Sequence, residues 1–262
     1  MKVVILFIKD NVMGEYRTEI KPLNTLIKDE GIVEYIRDYY ATINSRLSII
    51  YETEDFYIAE DNTFQPWLSV MGNLPRNMTD QELCDLLLPY VENEKYIAVY
   101  TNIDRVSELF NKVDILTYHE DFIIGLVPGT SVVDENGIRL ATIEDLPYIE
   151  RTYIRSGHEQ LLSRIDHKQM WILDDGKGIK AYAGIHKDGS LGFEYVAPDS
   201  RRQNIASRMQ LYIADQMMKN NMIPYVMISK DNEIAKKLQT KHGSTFAKKL
   251  FYFYAKGKYE LE

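Results

Sequence analysis

An apolar strand signal, Leu191–Val196, runs through Ala197-Pro198-Asp199-Ser200 into the pair Arg201-Arg202 and then into an amphipathic helix. The helix pattern covers about Gln203 to Asn220. Ile205, Met209, Tyr212, Ile213 and Met217 recur at three- and four-residue steps, which places them on one buried face. A strand that turns at a proline into a helix defines an α/β unit. The first backbone N–H groups of such a helix have no intrahelical acceptor, and the positive end of its dipole lies behind them. That makes the turn a ready place for a phosphate, with Arg201 and Arg202 adding fixed positive charge.

The elements around this unit follow in a definite order. A turn-rich stretch from Pro128-Gly129-Thr130 to Asp134-Glu135-Asn136-Gly137 separates two patterned regions, which predicts domains over 1–130 and 137–262. After it, Ile138–Ala141 reads as a short strand. Thr142 caps a helix with Glu144 and Asp145 in its first turn, and Ser156–Asp166 reads as a second helix. Met170–Leu173, Ile179–His186 and Leu191–Val196 form a meander joined by Asp/Gly-rich turns. Beyond the long helix come a strand at Pro224–Ile228, a helix at Asn232–Lys241 and one or two aromatic-rich strands in Thr245–Tyr254. The class is α/β (α+β), with a mixed, mostly antiparallel central sheet.

This order, with Val196, Pro198, Arg201, Asn204 and Ala206 in a V-x-P-x-x-(R/Q)-x-x-G-x-(G/A) frame, resembles the GNAT superfamily of N-acyltransferases. Asn232, Ala235 and Gly243 fit its second motif, an N-x-x-A followed by a helix and a glycine. The resemblance covers about residues 137–256. One position departs from the pattern: Asn204 stands where the family usually has glycine, and asparagine is the next most tolerant residue in a left-handed conformation.

The first half echoes the second. Trp67–Met71 is a strand, Thr79–Tyr90 a helix capped by Thr79 or Asp80, Lys95–Thr101 a strand, Asn102–Phe110 a helix and Val113–Val127 a strand pair. The loop Gly72–Met78 lacks the arginine pair. The first half is therefore expected to be a degenerate GNAT-like copy without cofactor, or an accessory α/β domain. Residues 20–50 look largely helical, with Ile32, Val33, Ile36, Tyr39 and Tyr40 on a core-facing stripe.

The resemblance implies direct transfer of an acetyl or longer acyl group from acetyl-CoA to a primary amine of a small or amino-acid-like acceptor. The tandem arrangement looks like the glycine N-acyltransferase-like branch. A backbone amide at Tyr195 or Val196 would hold the acyl carbonyl. Gln203, Asn204, Ile205, Ala206 and Ser207 would meet the pyrophosphate beside Arg201 and Arg202, and Asn232 would face the pantetheine or adenosine. Glu194, flanked by Phe193 and Tyr195, is the first candidate for the base that frees the amine of its proton. His158 and Glu159 are lesser candidates. The tyrosine that commonly protonates the departing thiolate falls at Gln239, so Tyr252 or Tyr254 on the last strand would take that role. Two alternatives remain: a CoA-binding or interaction module without turnover, and an aminoacyl-tRNA-dependent transferase.

The charge is unevenly spread. Residues 1–136 carry 11 Lys+Arg against 24 Asp+Glu, a net of −13; the totals of 31 and 39 leave 20 against 15 for the rest, a net of +5. The acidic half argues against nucleic-acid binding, and the basic half suits a small polyanion. No run of apolar residues spans a bilayer, and no metal-ligand spacing is visible. The single Cys84 fits a reducing cytoplasm and a buried place in the Leu83–Leu88 stretch.

Overall fold

The computed structural model describes residues 32–61, 67–92, 98–112, 116–129, 134–247 and 250–255. In chain order the first elements are α1 (Ile36–Ile43), β1 (Leu47–Glu52), β2 (Phe56–Asp61), β3 (Trp67–Gly72), α2 (Asp80–Glu92), β4 (Ala98–Thr101), α3 (Asp104–Lys112) and β5 (Leu116–Leu126). There follow β6 (Ile138–Leu140), α4 (Leu146–Thr152), α5 (His158–Asp166), β7 (Met170–Asp174), β8 (Ile179–Ile185) and β9 (Leu191–Val196). The last are α6 (Ile205–Lys219), β10 (Tyr225–Ser229), α7 (Glu233–His242), β11 (Thr245–Phe246) and β12 (Leu250–Ala255). They form two compact units. One holds the described residues up to Ile124 with Ile228–Glu233 and β12; the other holds Gly125–Met227 and Ile234–Thr245.

In the first unit β1, β2 and β3 make an antiparallel meander, and β4 lies parallel to β3. The strand β12 is inserted between β4 and β5, antiparallel to both. Phe56, Ile58, Leu68, Val70 and Val99 of the sheet pack on Leu83 and Leu87 of α2 and on Val106, Leu109 and Phe110 of α3. Cys84 is part of this core, and burial pushes its thiol pKa up. The expected stripe of Ile32, Val33, Ile36, Tyr39 and Tyr40 is buried.

Two expectations need correction. The helical reading up to residue 50 fails at Asn44: Ser45 turns left-handed (φ 55°), and Leu47-Ser48-Ile49-Ile50-Tyr51, rich in β-branched side chains, is a strand. The pair of strands expected over Val113–Val127 is one long strand from Leu116 on, held straight by β12 from Phe122↔Leu250 to Tyr118↔Tyr254.

A buried ionic cluster ties α1 to this sheet. Arg37 donates to Asp61 at 2.9 Å and to Ser69 at 3.2 Å, and pairs with Asp38 at 3.4 Å. Asp38 in turn accepts from Tyr57 (2.6 Å) and Ser69 (2.7 Å). The guanidinium also sits 4.1 Å from the Trp67 ring centroid. Burial raises the Asp38 carboxyl pKa, and the Arg37 charge and the hydrogen bonds from Tyr57 and Ser69 offset part of that cost.

The second unit contains the antiparallel sequence β6-β7-β8-β9, with β10 parallel to β9 and in register at Leu191↔Val226. Leu146 and Ile149 of α4 and Leu161 and Ile165 of α5 cover Met170, Ile172, Tyr182 and Phe193. The helix α6 packs on β8 and β9. Thr142 caps its turn reciprocally with Asp145, and Arg139 grips the same carboxylate at 2.7 and 2.8 Å. The order strand, helix, parallel strand, helix, strand thus occurs twice, as β3-α2-β4-α3-β5 and as β9-α6-β10-α7-β11.

Replacing Arg37 with Met leaves the buried Asp38 without its cation and Asp61 with only Arg46 at 3.9 Å. We expect a loss of about 3–5 kcal/mol in urea unfolding, the usual cost of breaking a buried pair from one side.

Candidate functional site

The site is built where β9 carries one residue too many. Tyr195 faces Tyr182 on β8 and Gly192 faces Gly184, so Ala183 alone opposes both Phe193 and Glu194. This is a β-bulge, and Phe193 takes the left-handed conformation (φ 52°), an uncommon one for a bulky residue. The extra residue interrupts the pairing ladder between β9 and β8. Phe193 drops into the core beneath α4 and α5, against Tyr153, while Glu194 turns toward α6. Tyr195 stacks on Tyr182 with ring centroids 5.1 Å apart.

Tyr182, Ala183, Glu194, Tyr195 and Val196 line a small cleft, open to solvent and with a cavity of only about 10 Å³, with Ala206 and Met209 of α6. Glu194 has the exposure of a surface residue and lines the cleft beside Ala206 and Met209. Desolvation pushes its carboxyl up to about 7, against a smaller lowering by a hydrogen bond from Gln210.

The loop that leaves β9 explains where α6 starts. After the 3₁₀ turn Pro198–Ser200, Arg202 (φ 66°) and Asn204 (φ 62°) are both left-handed. The helix therefore begins at Ile205 and not at Gln203. Asn204 occupies the N-cap position but makes no capping bond; its side-chain oxygen accepts from Lys241 at 2.6 Å. Arg201 reaches back to the Val196 carbonyl at 3.2 Å, and Gln203 to that of Asp199 at 3.3 Å. Ser207 is buried and hydrogen-bonded to His242 Nε2 at 2.7 Å. No side chain caps the helix, and Arg201 and Arg202 just ahead of it are exposed.

The corresponding helix start in the first unit is closed. Thr79 N donates to Glu82 at 2.7 Å, and Glu82 N donates to Thr79 Oγ1 at 3.2 Å, a complete capping box. The Glu82 carboxylate, its pKa lowered by those bonds, already stands where an anion would.

The structure thus brings Glu194, Tyr195, Val196 and Ala206 to one cleft and sets Arg201, Arg202, Gln203, Asn204, Ile205 and Ser207 at the adjoining helix start. Asn232 and Tyr254 belong to the first unit. Asn232 closes the turn onto Ser229, and Tyr254 pairs with Ala98 and Tyr118, its side chain, like that of Tyr252, lying outside the described residues. His158 binds Glu150 at 2.6 Å on the surface, and Glu159 is exposed near it. Sequence reasoning missed Gln210, a polar residue one step along from Met209 on the buried side of α6, and the cross-strand register that creates the bulge. Among the described residues no His/Cys/Asp/Glu group forms a metal-binding cluster, and no helix is long and apolar enough to cross a membrane.

No family model and no curated protein matches the sequence. Solved structures do match. A Drosophila protein superposes with a TM-score of 0.62 at 15% identity, over 98% of this chain and 96% of its own. A GCN5-related N-acetyltransferase from Kribbella flavida gives 0.54 at 8% identity, over 88% and 97%. A putative GNAT-family acetyltransferase from Novosphingobium aromaticivorans gives 0.52 at 12%, over 80% and 92%. At these identities the likeness is one of fold: the chain has the GNAT fold.

The left-handed backbone at Asn204 yields a stability test. Asn204→Val is expected to cost about 1–2 kcal/mol in urea unfolding, since a β-branched side chain is strained there. Asn204→Gly is expected to stay within about 0.5 kcal/mol of the parent protein.

Proposed function

We propose that the chain transfers an acetyl group from acetyl-CoA to a primary amine of a small-molecule or amino-acid-like acceptor. The observation that carries this reading is the pairing of Glu194, a carboxylate poised near neutrality at a bulge, with an uncapped helix start flanked by Arg201 and Arg202. The donor set fits the pyrophosphate of coenzyme A: the backbone amides of Ile205, Ala206 and Ser207, and two guanidinium groups. The small cleft beside it, lined by Tyr182, Val196 and Met209, marks where the thioester end of the cosubstrate would approach Glu194.

In this reading the chain's own residues do three things. The Arg201–Ser207 loop binds the anion and fixes the register of the cosubstrate. A backbone N–H at Tyr195 or Val196 donates to the thioester carbonyl oxygen as negative charge builds there. Glu194 accepts the proton that the ammonium must lose before its nitrogen lone pair attacks. The new C–N bond forms, the C–S bond breaks, and the thiolate leaves. Gln239 cannot return a proton to it, and water takes that step.

The two units divide the work. We read residues 1–130 as a degenerate GNAT-like copy whose phosphate position is taken by its own Glu82, and residues 137–262 as the acyl-CoA-binding domain. A second reading, binding of coenzyme A without turnover, draws on one observation: the position of the usual general acid is a buried glutamine.

Calorimetric titration with acetyl-CoA tests the site. The double variant Arg201→Ala/Arg202→Ala is expected to bind at least tenfold more weakly, about 1.5–3 kcal/mol for lost charged hydrogen bonds; unchanged affinity overturns the placement. Glu194 acts as a base only when ionised, so kcat/KM should fall as pH drops through about 7 and level off above it. Glu194→Gln should lower kcat by about 10²–10⁴ with acetyl-CoA affinity retained. Tight binding without thiol release at any pH, across a panel of amines, would favour the second reading.

A further inference from the structure

β8 and β9 each carry a glycine where they pair beside the bulge, Gly184 opposite Gly192. Side chains of directly opposed residues share a face of the sheet, so the two missing side chains leave a bare floor there. Two rings cover it. A Cβ on Gly192 would fall on the His186 imidazole, and one on Gly184 would lie 3.4 Å from the Phe193 ring. The two rings meet with centroids 4.0 Å apart and planes tilted by 33°. Gly192 is not among the left-handed residues, so it is the imidazole, not the backbone, that keeps a side chain out of this position.

A tight turn delivers the imidazole. His186 N donates to the Ser190 carbonyl at 2.8 Å, and Gly189 N to the His186 carbonyl at 3.0 Å. Asp188 Oδ1 accepts from the Ser190 amide (2.9 Å) and hydroxyl (2.7 Å), and Tyr225 of β10 donates to the Asp188 carbonyl at 2.8 Å. The hairpin that carries His186 is thus tied down on both strands and to β10. On its other flank Phe193 meets Tyr153 at 5.4 Å.

We propose that His186 is a positioning residue: its ring, laid over Gly192, clamps Phe193 in the left-handed conformation and so keeps Glu194 in the cleft beside Ala206 and Met209. The proposal deepens the acyl-transfer reading and rests on it for what Glu194 does. A bulky residue at positive φ is strained and relaxes unless its surroundings hold it. The core under α4 and α5 and the Tyr153 ring hold Phe193 from one flank. The imidazole closes the flank toward the hairpin. With that ring gone, Phe193 can swing over bare Gly192 and the bulge can slide along β9. Glu194, the next residue on the backbone, moves with it. Burial keeps the imidazole below its ordinary pKa; Asp188 opposes this and Arg164 adds to it. A neutral ring packs on Phe193 without a charge to desolvate.

Variants of the full chain test this by three readouts: the backbone ¹³C shifts of Phe193, which separate left-handed from extended conformation; the carboxyl ¹³C titration of Glu194; and kcat beside the acetyl-CoA Kd. In His186→Ala the Phe193 shifts should move to extended values. The Glu194 midpoint should fall from about 7 toward the ordinary carboxylate range as desolvation is relieved. In the same variant kcat should drop by about 10²-fold, the effect of about 1 Å of misplacement, with Kd unchanged. Gly192→Ala, whose methyl displaces the imidazole, should behave in the same way. His186→Phe, a flat ring that carries no proton, should match the parent in all three. Left-handed Phe193 shifts, an unmoved Glu194 midpoint or a parent-like kcat in folded His186→Ala overturns the proposal. Loss of kcat in His186→Phe with left-handed shifts kept overturns it too, since a proton on the imidazole would then be what matters. Should His186→Ala not fold, the double variant His186→Ala/Gly192→Ala, whose methyl fills part of the vacated space, is read by the same criteria. The first two readouts need no substrate: a parent protein that releases no thiol from acetyl-CoA counts against the acyl-transfer reading, while Phe193 and Glu194 still decide the clamp.

Discussion

Everything at the candidate site depends on the extra residue in β9. An unbroken strand would pair each residue of β9 with one residue of β8 in a continuous ladder. The bulge instead forces Phe193 into a left-handed conformation, which it keeps because its ring is anchored in the core of Leu146, Ile149, Leu161 and Ile165. The backbone strain is thus held by apolar packing on one side of the sheet. On the other side lies Glu194, lining the cleft with Ala206 and Met209 of α6, its carboxyl raised by desolvation.

The same logic of what is satisfied and what is left open separates the two helix starts. Both follow a strand that is parallel to the next strand. In α2 the chain supplies its own acceptor through Thr79 and Glu82. In α6 the equivalent groups are left without one: the N-cap asparagine is drawn away by Lys241, and Ser207 by His242. A fold used twice need not carry the same site twice; a single carboxylate at the third helical position is enough to fill one and leave the other for a ligand.

Much of the fold was legible because it is written in local pattern. β9 runs over the residues that the apolar signal marked, the meander β7-β8-β9 follows from its Asp/Gly turns, and Thr142 and Thr79 cap where their sequence says they should. The hairpin β1–β2 was hidden, since Leu47–Tyr51 adjoins a helical stripe with no Gly or Pro between them. The start of α6 slipped by two residues because left-handed backbone at Arg202 cannot be read from an arginine. Of the site, Glu194 was visible from its aromatic neighbours. The bulge that aims it exists only as a register between strands, and Gln210 and Gln239 look like surface residues until two helices bury them against one another.

The place of β12 bears on how such a chain comes off the ribosome. The first unit's sheet has a gap between β4 and β5 that only β12 fills, and β12 is made after every element of the second unit. While synthesis passes through β6 to α7, β4 and β5 wait with unpaired edges, the kind of exposed template that invites wrong partners. The first-made half of the molecule is therefore the last to be finished, and the second can be complete before it.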